Sequence, residues 1–476
     1  MSGELLGALT STDELMEATG DRAWLAAMLD AEAALAHAEA AAEVIPAEAA
    51  GAIAAACHPD GFDAAEVGRR ARAGANPVIP LVADLRARVG PESGEWVHWG
   101  ATSQDILDTA AMLVCRRTLA IIETDMAHLA ASCAVLAGSH RDAPMVARTL
   151  LQQALPTTFG LKAAGWLAGV MDAGDGLARL RPRLAAQLGG AAGTLAAFGD
   201  AGIEVMARMA VALDLVEPVV PWHTARGRIA EIAGALGVAA GAAAKVALDV
   251  VLMAQTEVGE VAEGGGAGAG GSASGTGAGG SSSATGAGGS STQPHKRNPA
   301  GAVRVLAAAR RAEGLAATLL GGMAQEHERA AGTWQAEWAT LADLLATAGG
   351  AVATAGAVVS ALEVDTAALR ANLDATGGLV LAERVTFALA ATLGRDAAAA
   401  AVTAAAARSA EAGPSLAGAP LSFADALAGD AVVVAALGGD ESTGEIGRLL
   451  DPVGYMGSAG ALVDRVLDAY EAWGTP

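Results

Sequence analysis

Aromatic residues are scarce in this 476-residue chain, where phenylalanine, tyrosine and tryptophan together make up 3%. Strands draw on aromatic and β-branched side chains, whereas alanine, leucine and arginine favour helix, so a sheet-dominated fold is excluded and an all-α one expected. Cysteine is nearly missing. Cys57, Cys115 and Cys133 have no metal-ligand spacing, and their odd number argues against a disulfide scaffold; buried, inert thiols in a reducing, cytoplasmic compartment are expected. Lysine is as sparse, with only Lys162, Lys245 and Lys296. The formal net charge of −22 excludes a general affinity for nucleic-acid phosphates, which would need clustered cations. An anionic substrate would require a local positive pocket built against the protein's own field. The opening MSGELLGALTSTDEL has no basic start followed by an apolar run, so no secretory signal is expected. Residues 344–362 carry no charge across 19 positions, but their alanine, glycine and threonine content suits the centre of a packed bundle better than a bilayer, and no membrane partner is expected.

What is present is helix in long pieces. The chain is 53% apolar, enough for one large core or two to three smaller ones. Apolar positions at helical spacing from Thr12 onward (Leu15, Met16, Trp24, Leu25, Met28, Leu29) predict helices ending near Asn76-Pro77 and Pro80. Longer helical periods run over 114–138, 157–171, 227–263, 299–320 and 341–362. Their length predicts a bundle or an oligomeric helical core. The division that follows is an N-terminal lobe over 1–112, a central bundle over 113–364 and a more broken C-terminal lobe over 365–476.

Residues 264–292 consist only of Gly, Ala, Ser and Thr, too little apolar side chain to offset the entropy of ordering, so a mobile loop is expected there. TGAGGSS occurs twice within it, at 276–282 and 285–291, in the manner of a local duplication. The loop ends in GGSSTQPHKRNP, 288–299. A serine works as a base or proton carrier only if its alkoxide is stabilised, which an ammonium and the amides of a glycine-rich turn can do. Lys296 lies six residues past Ser290. By residue chemistry alone, this is either such a device or a basic helix start after a linker.

The stretch GSSTQPHKRNP resembles the signature of the fumarase/aspartase superfamily, with Gln293 where methionine is usual. WVHWGATSQDILDTA, 96–110, resembles the first superfamily block, in which a Thr-Ser pair holds a substrate carboxylate; here these are Thr102 and Ser103. ARTLLQQALPTTFGLKAAGW, 147–166, resembles the second, where a histidine often follows the threonine; here Leu150 follows Thr149, and Gln153 stands where some members carry another histidine. NPVIPLV, GGAAGTLA, PWHTARGRIAE, AQTEVGEV, EHERAAGTWQAEW and LDPVGYMGSA extend the likeness to bacterial 3-carboxy-cis,cis-muconate cycloisomerases. The long Gly-rich insert does not fit that pattern.

The resemblance implies an all-α, three-lobed fold whose central bundle assembles with three copies of itself. It implies a homotetramer with sites shared between subunits, no metal and no cofactor. It also implies a small polycarboxylate substrate. Ser290, with its neighbour Ser291, would carry the proton and Lys296 would assist; Lys296 and Asn298 would bind carboxylate, opposite a wall of Thr102, Ser103, Thr149 and Gln153. His98 adjoins that wall, and Arg329 resembles a residue that binds an anionic tail, though Ala330 replaces the usual aspartate after it. His223, His295 and His327 are expected to be structural. Glu257 and Glu260, three apart, are read as solvated or paired with a partner helix rather than metal-binding.

Leu150 and Gln153 bear on the reaction. Expelling hydroxide or an amine benefits from a general acid, whereas a carboxylate, whose conjugate acid has a pKa of about 4, leaves without one. The implied activity is therefore lactone formation from 3-carboxy-cis,cis-muconate. A lyase releasing fumarate from a substituted succinate with a weakly basic leaving group, and a crystallin-like descendant without turnover, remain alternatives.

Overall fold

The computed structural model describes residues 4–264, 296–411 and 421–474. Ser290, Ser291, Gln293 and His295, and all of 264–292 except Gly264, lie outside them. Among the described residues the chain is all-α apart from two short, two-stranded antiparallel sheets.

Helix α1, Asp21–Ala41, and α2, Val78–Val89, belong to the N-terminal part. Asn76-Pro77 separates two helices rather than ending the helical region. Pro77 caps α2 and Pro80 sits in its first turn, where a missing N–H costs nothing. Next comes α3, Ser103–Ser139, which is continuous through residue 112, so the sequence boundary at 112 falls inside a helix. Its interior holds neither proline nor glycine until Gly138, and nothing interrupts it.

Strands β1, Pro144–Thr149, and β2, Gln152–Thr158, then form an antiparallel hairpin. It turns on Leu150 and Leu151, both at positive φ (50° and 65°) and both exposed. Leucine is not a residue that advertises such a turn, so the hairpin was hidden in sequence that reads as helix or loop. Helix α4, Phe159–Ala178, starts against the end of α3, with the Gly160 N–H bonded to the His140 carbonyl at 2.9 Å. A Cβ at Gly160 would lie 2.5 Å from the Arg141 Cα, so only glycine permits this approach.

Helix α5, Gly227–Met253, is shorter than the 227–263 period predicts. The chain turns at Gly259 (φ 60°) and enters β3, Val261–Glu263. Helices α6, Ala300–Gly321, and α7, Thr333–Ser360, complete the bundle, and β4, Leu362–Val364, pairs with β3. After it come α8, Thr366–Asp374, a cluster of short helices, and α9, Ala459–Trp473.

Arg226 fixes the relative direction of the central helices. It is 1% exposed and bonds to Asp108 at the start of α3 (2.8 and 3.0 Å) and to Glu337 at the start of α7, while itself preceding α5. The Trp334 indole also donates to Asp108 at 3.0 Å. Helices α3, α5 and α7 thus begin at one end of the bundle, whereas α4 and α6 begin at the other. One core runs from Leu15 through these helices to Val463, and a second, smaller one lies within 385–449. Helices α3, α5 and α7 are long and apolar enough to cross a membrane by length and composition alone. In α7, 72% of that apolar stretch is buried inside the protein, which accounts for its character without a bilayer.

Candidate active site

The first superfamily block forms the N-terminal approach to α3. His98 (φ 60°) and Gly100 (φ 67°) both take left-handed backbone, folding the loop onto the 189–193 turn. A Cβ at Gly100 would lie 2.7 Å from the Phe198 ring, and one at Gly190 would lie 2.9 Å from the Gly100 carbonyl, so the two glycine turns press against each other. Asp105, fully buried, ties them. One oxygen accepts the N–H groups of Thr102 and Gly190, each at 2.9 Å, and the other meets Nε2 of His223 at 2.7 Å. Thr102 and Ser103 are half-buried at the helix start, where the positive end of the dipole suits a carboxylate.

Arg329 reaches this end from a segment distant in sequence. Its guanidinium donates to Gln104 Oε1 (3.1 Å) and to the Gly190 and Ala191 carbonyls (3.3 and 3.0 Å). His98 adds its Nδ1, 2.7 Å from Glu32 on α1. Burial pulls the His98 pKa down, but the charge and hydrogen bond of Glu32, with Asp105 beyond, outweigh it and leave the value raised.

The second block lies at the opposite end of the bundle. Thr149 and Gln153 are exposed near the hairpin tip, and the Gln153 amide donates to the Asn372 carbonyl at 3.2 Å. Beneath them Arg148 grips Glu260 through two bonds, 2.9 and 2.7 Å, and Asn372 Nδ2 donates to the same carboxylate at 2.9 Å. Glu257 and Glu260 therefore do not share a helix face: both follow the end of α5, Glu257 is exposed, and Glu260 is fully buried on Arg148. Among the described residues no group of three or more His, Cys, Asp or Glu is placed to hold a metal. Lys296 and Asn298 precede α6 at this same end. Glu263 in β3 accepts the Gly301 and Ala302 N–H groups at the helix start (3.0 and 2.8 Å). Lys162, at the start of α4, has its pKa lowered by burial despite Asp249 nearby.

The candidate residues thus separate into two sets. His98, Thr102, Ser103 and Arg329 stand at the start of α3, and Thr149, Gln153, Lys296 and Asn298 at its far end. With 37 residues at about 1.5 Å each, α3 holds the sets about 55 Å apart. One chain does not bring them into one pocket.

The lyase family profile matches residues 7–314, and the adenylosuccinate lyase C-terminus profile matches 378–466. The chain belongs to the fumarase/aspartase superfamily of lyases. Among its superfamily relatives, 3-carboxy-cis,cis-muconate cycloisomerase of Bradyrhizobium diazoefficiens is 45% identical over 471 residues, 98% of each chain. Nitrosuccinate lyase of Streptomyces davaonensis is 40% identical, over 97% of this chain and 94% of the relative. The crystal structure of 3-carboxy-cis,cis-muconate lactonizing enzyme from Pseudomonas putida superposes with a TM-score of 0.87 at 39% identity, covering 99% of this chain and all of that one.

Sequence reasoning missed several residues of this candidate site: Glu32 behind His98, Asp105 between the glycine turns, and Gln104 behind Arg329. Only Asp105 left a legible signal, as the acidic residue three positions after a helix-capping threonine. His223, expected to be structural, is buried on Asp105.

Proposed function

We propose that this lyase-family chain is a cycloisomerase interconverting 3-carboxy-cis,cis-muconate and 4-carboxymuconolactone, in the protocatechuate branch of aromatic degradation. The observation that carries the reading is near full-length similarity to relatives so named, at up to 45% identity. The hairpin supports it. Where other superfamily members carry a histidine suited to protonating a basic leaving group, this chain presents Leu150, 96% exposed at a turn.

One substrate carboxylate oxygen adds to a carbon of the conjugated diene, forming the lactone C–O bond. The displaced π electrons move onto the adjacent carbon, where the neighbouring carboxylate delocalises them. Ser290 delivers its hydroxyl proton to that carbon and regains one from solvent, so the trianion takes up a proton to become a lactone dianion. Lys296 stabilises the transient alkoxide. The nucleophile belongs to the substrate, and the protein's task is to orient three carboxylates. Thr102, Ser103, His98 and Arg329 from one subunit would face Thr149, Gln153, Lys296 and Asn298 from others, in a cytoplasmic homotetramer that needs no cofactor. Its division would be the three lobes 1–112, 113–364 and 365–476 with the first boundary moved back to about residue 102, so that α3 belongs whole to the central bundle.

The test is loss of carboxymuconate ultraviolet absorbance with purified protein, alongside nitrosuccinate and other substituted succinates. Turnover of carboxymuconate with proton uptake supports the reading; fumarate release from a succinate, with carboxymuconate untouched, overturns it. Ser290→Ala should abolish turnover while Ser281→Ala, in the duplicated copy, leaves it near normal. Equal loss from both removes Ser290 from its role.

A further inference from the structure

Two buried carboxylates lie behind His98. Glu32 is 1% exposed and His98 side-chain exposure is 13%, so their 2.7 Å contact is shielded from water. Among the described residues only one Glu32 oxygen is used; Oε2 is buried without a hydrogen-bond partner there. His98 meanwhile holds a left-handed backbone, φ 60°, which is strained for a residue with a Cβ. Trp96 and Trp99, with ring centroids 5.0 Å apart, flank it on the same loop. A strained backbone and a carboxylate committed to burial are both costs. They converge on one imidazole beside Thr102 and Ser103.

We propose that Glu32 is a positioning residue for this site: it binds Nδ1–H of His98, so that Nε2–H is turned to a substrate carboxylate and the ring carries positive charge. The carboxylate as target rests on the function proposed above. In a chain of net charge −22, an imidazolium held by a buried partner adds a local cation beside Thr102 and Ser103. Arg329 is already bonded to Gln104 and two carbonyls. The groups acting on His98 come from three elements. Glu32 on α1 and Asp105 on α3 favour its cationic form, and Arg86 on α2, which donates to the Val97 carbonyl at 3.1 Å, opposes it. The balance leaves the His98 pKa raised, so the cation survives to higher pH and is lost as pH rises through that value.

Histidine-selective 13C NMR of the full-length protein tests the pairing without any substrate, with His98→Gln identifying the signal. The wild-type His98 resonance should titrate above the ordinary value of about 6.5, and in Glu32→Gln the midpoint should fall by about one unit. The alkaline limb of kcat/KM should move down by the same interval, about a tenfold loss on that limb, with kcat less affected than KM. Glu32→Asp, which keeps the charge, should restore much of the wild-type midpoint. A wild-type midpoint at or below 6.5, or one that Glu32→Gln leaves in place, overturns the proposal. Should the protein not turn over carboxymuconate, the functional reading falls while the NMR result still decides the pairing.

Discussion

At the scale of single residues, burial decides which charges exist. Glu39 lies on α1 two turns from Glu32, is 1% exposed, and among the described residues its Oε1 has no hydrogen-bond partner. Burial, then the charge of Glu32, raise its pKa to about 9, so it is a neutral acid at physiological pH. Between its unfolded value of about 4.5 and about 9 the folded chain holds a proton that the unfolded chain releases, so stability falls as pH rises through that window. Glu39→Gln keeps the shape and has no proton to lose. Its thermal midpoint should match wild type near pH 5 and exceed it at pH 8.5, where the variant should be the more stable by on the order of several kcal/mol. Parallel melting profiles across that range would refute the assignment. The same physics quiets the cysteines: burial pushes Cys57, Cys115 and Cys133 each up to about 12, with Glu32 and Asp30 adding to the rise at Cys57. Buried and mostly protonated, they fit the inert thiols expected from the sequence.

At the scale of elements, the bundle is aligned by a few polar clamps in an alanine-rich core. Arg226 lies among Asp108, Glu337 and the Trp222 ring, whose centroid is 4.8 Å from its guanidinium carbon. Removing one member of a buried ionic cluster leaves the others uncompensated. Arg226→Leu should therefore cost about 3–5 kcal/mol and lower the thermal midpoint. Adding Asp108→Leu and Glu337→Leu should recover much of it, and a single variant as stable as wild type would show that the clamp contributes nothing. The helices themselves were largely legible, because uninterrupted alanine and leucine at helical period leave little alternative; α6 differs from the predicted 299–320 by one residue at each end. The hairpin was not, since Leu150 and Leu151 owe their left-handed backbone to the strand pairing on either side rather than to their own propensity.

At the scale of the whole molecule, charge is distributed unevenly. Lys162 and Lys245 both approach Asp249 near the end of α5, and Lys296 precedes α6, so all three lysines gather at the hairpin end of an acidic protein. The other set of candidate residues, at the start of α3, stands about 55 Å away. If complete sites combine the two ends of different subunits, a Thr102→Val, Ser103→Ala double variant and Lys296→Ala should each be inactive alone. Co-assembled in equal amounts, they should recover up to roughly a quarter of wild-type activity, because random mixing leaves some sites with both ends intact. No recovery in correctly assembled mixtures would mean that each site is built within one chain.

Composition and periodicity by themselves determined the helical class, and the motifs determined the superfamily, because those properties reside in local propensity and in short runs of neighbouring residues. The motifs also proposed Thr102, Ser103, Thr149, Gln153, Lys296 and Asn298 as candidates for one site. Only the tertiary structure decided how they are apportioned between the two ends of α3, since the direction of each helix depends on contacts such as Arg226 with Asp108 and Glu337, 118 and 111 residues apart. It alone also paired Glu32 with His98. No sequence pattern joins residues 66 positions apart; the fold brings the Glu32 carboxylate against the imidazole, where its charge and hydrogen bond outweigh burial and raise the His98 pKa.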